Sequence, residues 1–133
     1  MKQLFEHNAA EIRRLHQAVN DTFKGRSDSK YAMEAWQRAC AEFSARYDQL
    51  AFPGGLGSAF ERLAACDPPT AETAVLFLEL HPYFHRSQYI ATKLVQFLKK
   101  LELRSDLQER FDAITTATRE RRLRRREEPG GKS

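Results

Sequence analysis

Six of the eight residues at positions 119–126 are arginine: Arg119, Arg121, Arg122, Arg124, Arg125 and Arg126, interrupted only by Glu120 and Leu123. A guanidinium presents a planar fork of donors that meets carboxylate or phosphate with two bonds at once, so such a run is chemistry for holding an anion. Cations at a helix end are also favoured by the negative pole of the helix, but six in eight exceed what that requires. Upstream, His81, Pro82, Tyr83, Phe84, His85, Arg86, Ser87, Gln88 and Tyr89 interleave aromatics with imidazole and guanidinium. Lys93, Lys99 and Lys100 continue the positive character of Arg86. Tyr83, Phe84 and Tyr89 could stack on bases while Arg86 and Lys93 hold phosphates, as single-strand binders do. Phe84 and Tyr89 could equally fill a corner where two helices meet, the commoner fate of aromatics there.

The charge is lopsided. Residues 86–133 carry thirteen Lys/Arg against seven Asp/Glu, whereas residues 1–85 carry nine against eleven. The net charge of +4 therefore originates in one region, which points to an anionic partner there.

Other chemistry is thinner. His81 and His85 are four apart, a zinc-ligand spacing, but Pro82 disfavours helix at His81 and a zinc site needs further ligands. His7, His16, Cys40 and Cys66 have no ligand spacing, so no metal and no cofactor are expected. Gly54, Gly55, Leu56, Gly57 and Ser58 resemble a phosphate loop in composition only. Position 60 is phenylalanine where GxGxxG needs glycine, and no GK[ST] follows. Ser58, Ser87, Cys40 and Cys66 sit on separate segments, and Asp106 and Glu109 answer a helix start, so no catalytic role is expected.

The elements that must position these residues are helical. Phe5, Ala9, Ile12, Leu15, Val19 and Phe23 form one stripe, with Arg13, Arg14 and Gln17 opposite. Gly25 ends that helix, and the polar stretch 26–29 offers a new N-cap. Ala32, Trp36, Ala39, Cys40, Phe43, Tyr47 and Leu50 form a second stripe, which predicts an antiparallel hairpin with the first. Residues 59–65 make a short turn or helix. A central helix starts near Asp67 or Thr70 and runs to about Leu80, apolar on nearly every side from Ala74 to Leu78. Pro82 interrupts, and a further helix is expected from about Pro82–Phe84 to Leu101. The last helix opens on Ser105, Asp106, Leu107 and Gln108, which match a capping box, and its inner face is Leu107, Phe111 and Ile114.

The fold class expected is all-α, a compact bundle of four to five helices: two antiparallel hairpins around the central helix. Residues 1–126 read as a single helical domain and residues 127–133 as a disordered tail. Trp36, Phe77 and Leu94 are expected to share one buried cluster. The longest apolar stretch, 74–78, is far short of the ~20 residues of a membrane span, and Glu6, His7 and Asn8 interrupt any signal-peptide core. Two isolated cysteines read as reduced thiols, so a cytoplasmic location is expected. The functional expectation is a small non-catalytic protein-interaction module (adaptor, regulator or immunity-type binder) whose partner has an acidic surface. A nucleic-acid binder using the basic C-terminal helix is the second reading, since no helix-turn-helix, zinc-finger or RNP motif is present.

Overall fold

The computed structural model describes residues 1–127, and these are all-helical: α1 (Lys2–Phe23), α2 (Lys30–Ala51), α3 (Leu56–Ala64), α4 (Pro68–Leu80), α5 (Ser87–Leu98) and α6 (Ser105–Glu127). The segment read as a turn or short helix is a full nine-residue α3, which makes six helices. The tail expected over residues 127–133 lies, beyond Glu127, outside the described residues. Among the described residues no helix is long and apolar enough to cross a membrane.

Local signals explain most boundaries. Ser29 caps α2 by accepting from the Ala32 amide, and Asp67 caps α4 by accepting from the Thr70 amide, with Pro68 tolerated in the first turn. The α2–α3 turn passes through Gly54 (φ 82°) and Gly55 (φ 96°), left-handed backbone that glycine enters without a Cβ penalty. That turn presents the Gly57 amide to the Asp48 carboxylate at 2.9 Å, so a protein carboxylate already serves the start of α3.

Two expectations fail at helix starts. The helix after α4 begins at Ser87, not near Pro82, because the chain spends residues 81–86 on a turn bounded by two left-handed residues, His81 (φ 51°) and Arg86 (φ 67°). The Ser87 hydroxyl accepts from the Phe84 amide across that turn. The capping box does not form either. Ser105 is already the first helical residue, the Gln108 amide bonds the Arg104 carbonyl at 2.8 Å, and the Gln108 side chain donates to Asp112.

One core cluster draws residues from every helix. Its hub is Phe77, whose ring meets those of Phe5, Phe52 and Phe84 at 5.8, 6.1 and 6.2 Å. Leu94 joins it, fully buried. Trp36 does not, contrary to the expectation of a shared cluster. α1 buries nothing beyond Leu15, and α2 buries only Ala51. The outer half of the hairpin therefore packs on itself, with Trp36 half-buried against Phe23 and Arg26. Nearer the core, Glu11 joins the hairpin by taking Arg14 at 2.8 Å and Arg46 of α2 at 3.0 Å. The hydrogen bonds from Arg14 lead in holding its carboxyl down at about 2.

Candidate functional site

α6 is anchored by its first half and released in its second. Leu107 and Phe111 are buried, and Ile114 packs on the core. Arg110 forks onto Glu79 of α4, and its hydrogen bonds hold the Glu79 carboxyl below its ordinary value. Arg104 likewise clamps Asp106 at 2.6 Å and reaches Glu72 of α4 at 3.9 Å. These cations fasten α6 to α4. Past Thr118 the apolar stripe ends, and residues 119–126 are exposed on every side.

α6 packs on α4, and so does α5, but α5 and α6 stand apart and leave a trough between them. Its volume is about 520 Å³. Leu78 of α4, Ala91 and Val95 of α5, and Phe111 and Ile114 of α6 supply its apolar floor. The α5 wall is Gln88, Thr92 and Gln96, one helical row at intervals of four, closed by Lys99. The α6 wall carries Thr115, Thr118, Arg119, Arg121 and Arg122. A second hollow of about 260 Å³ shares His81, Gln88, Thr118, Arg121 and Arg122 with it and adds Arg125. The start of α5 is thus beside the distal half of α6.

The lining is cationic and amide-rich. Its one carboxylate among the described residues, Asp112, already accepts from the Gln108 amide group at 2.9 Å. Among the described residues none of the six arginines at 119–126 makes an ion pair, whereas Arg14, Arg46, Arg104 and Arg110 all do. Among the described residues Arg121 donates only to the Thr118 hydroxyl, at 3.3 Å. Like charges this close on one helix repel, an unfavourable term that an anionic ligand relieves.

The residues singled out by sequence divide into two groups. Lys99, Arg119, Arg121, Arg122 and Arg125 line the trough or its extension. Arg124 and Arg126 are exposed on α6 outside it, and Lys100 is exposed just past α5. Arg86 and Lys93 lie elsewhere, over the exposed ring of Tyr89 at 5.0 and 6.0 Å. At about 100° per residue, that row sits roughly a third of a turn around α5 from Gln88, Thr92 and Gln96. Tyr83 is exposed and detached from both groups, with its carbonyl accepting from Arg13. The cations do not form one continuous face.

Sequence reading missed the amide wall, although the four-residue spacing of Gln88, Thr92 and Gln96 was there to find. It also missed His16 of α1, which stacks on His85 in the turn before α5. No local signal could have paired those two. His81 serves as the C-cap of α4, exposed and left-handed. Among the described residues no three His, Cys, Asp or Glu side chains gather in a metal-ligating group. No protein-family model, curated protein or solved structure matches the chain.

Proposed function

We propose that this chain is a small non-catalytic protein-interaction module, an adaptor, regulator or immunity-type binder, whose α5–α6 trough receives an acidic surface of another protein. One observation carries the reading: Arg119, Arg121 and Arg122, none of them ion-paired among the described residues, rim a floor of Leu78, Ala91, Val95, Phe111 and Ile114. Apolar floor with polar rim is the anatomy of a protein interface, where the centre supplies burial and the charges supply steering and register. A reducing, cytoplasmic setting suits the two free thiols, Cys66 being exposed.

A second reading has its own observation. The exposed Tyr89 ring, with Arg86 and Lys93 over it, is an aromatic–cation patch, which suits a single-stranded nucleic acid. It ranks lower because the arginine-lined trough lies on another face and an apolar floor gains nothing from phosphate.

The test is a charge reversal. Arg119→Glu/Arg121→Glu/Arg122→Glu replaces exposed side chains, so the fold and its melting temperature should persist. Binding of a fluorescent glutamate-rich polypeptide to the wild-type chain should be lost in the triple variant. Equal binding by the two proteins would remove the trough from the account.

A further inference from the structure

The trough has a shape as well as a charge. α4 packs on α5 and on α6, but the fourth position of a bundle, between α5 and α6 and over Leu78, is empty of protein in the described residues. Bundles ordinarily fill that position with a helix, since each apolar stripe must be covered. From Gln88 to Lys99 the α5 wall spans about 16 Å, which matches roughly three turns of helix. Ala91 and Val95 are small, so an incoming backbone can approach closely, while Phe111 and Ile114 offer larger surfaces for its anchors.

The two walls ask for different chemistry. On the α5 side Gln88, Thr92 and Gln96 are uncharged hydrogen-bonding groups, with one cation, Lys99, at the end of the row. On the α6 side Arg119, Arg121, Arg122 and Arg125 offer paired donors, gathered at the end of the trough near His81. We infer that the trough takes one amphipathic helix of a partner protein, about three turns long. Its apolar anchors at i, i+3/i+4 and i+7 turn toward Leu78, and its Asp/Glu edge turns toward α6. This inference rests on the protein-binding reading above and adds the form of the partner.

The experiment uses the full chain and three fluorescent peptides of about fifteen residues. The first places Leu on one helical face and Glu along one adjoining edge. The second has the same composition permuted so that no apolar face survives, and the third replaces Glu by Lys. Two variants of the protein accompany them, each at exposed positions: Thr92→Trp, which fills the trough, and Arg121→Glu/Arg122→Glu, which reverses its rim. Melting curves confirm that both stay folded. At physiological salt the first peptide should bind and gain helical circular dichroism, with the permuted peptide about tenfold weaker or worse and the Lys peptide silent. Thr92→Trp and the double arginine variant should each weaken the first peptide by about tenfold or more.

If the first and permuted peptides bind alike, or Thr92→Trp changes nothing, the helix-in-trough inference is overturned. The acidic-partner reading then survives as long as the arginine variant abolishes binding. If no acidic peptide binds at all, that reading falls and the inference with it. A single-stranded oligonucleotide displaced by Thr92→Trp would assign the trough to nucleic acid and overturn both.

Discussion

His16 of α1 and His85 of the turn before α5 stack ring on ring, centroids 4.3 Å apart and planes inclined by 29°. Phe43 of α2 lies against both rings, and the Tyr47 hydroxyl donates to the His85 carbonyl at 2.6 Å. The pair therefore joins the hairpin to the turn that launches α5. Burial pushes the His85 imidazole below its ordinary 6.5, and the positive charges of His16 and Arg86 push the same way. The folded state thus binds fewer protons at His85 than the unfolded chain. Its contribution to stability is whole above about pH 6.5 and declines as pH falls through the depressed folded value. Urea midpoints measured from about pH 7.5 to 5 should fall, and His85→Gln should flatten that slope. An unchanged slope in the variant would place the titration elsewhere.

Phe77→Ala removes the hub ring that touches Phe5, Phe52 and Phe84. The expected loss is about 3–5 kcal/mol, a large share of the stability of a domain this size. Denaturant unfolding reads it directly. A loss under about 1 kcal/mol would mean that α4 is not the centre of the core.

Trp36 behaves differently because it lies outside that cluster. Its indole Nε1 is buried with no hydrogen-bond partner among the described residues. Trp36→Phe deletes this unsatisfied donor while keeping an aromatic face toward Phe23 and Arg26. Thermal unfolding should show a change within about 0.5 kcal/mol, or a gain. A loss above about 2 kcal/mol would show that the hairpin tip is tied into the core.

These two aromatics show what was legible in the sequence. The 3.6-residue stripes identified α1 and α2, and all-round apolarity identified α4, since both are properties of the local chain. A stripe does not state what covers it. That of α2 packs on α1 along the outer hairpin and reaches the core only from Phe43 to Ala51, yet along the stripe Trp36 is indistinguishable from Phe43. The turn at 81–86 was obscured for another reason: His81 and Arg86 are left-handed without being glycine, so their residue types do not announce it. At the candidate site each wall was visible separately. The gap between α5 and α6 was not, because it depends on which helix each packs against.

Metal removal provides a further check. His85 is stacked on His16, and His81 is an exposed helix cap, so neither belongs to a prepared ligand set. Purified protein should carry no stoichiometric zinc, and chelator should leave its melting temperature unchanged. One equivalent of bound metal, lost in His81→Ala/His85→Ala, would contradict this.

Whether the basic C-terminal region serves a protein partner is decided by a comparison between peptide and nucleic acid. Duplex and single-stranded oligonucleotides and a glutamate-rich peptide are titrated against the full chain and a variant ending at Thr118, over a range of salt. The peptide should bind the full chain more tightly than either oligonucleotide, with mild salt sensitivity. Oligonucleotide binding should be sequence-independent and no tighter than about the high-micromolar range at physiological salt. The contradicting result is a nanomolar, sequence-specific nucleic-acid complex with a log–log salt slope of about −3 to −5, the value expected of four to six engaged arginines, abolished by the truncation.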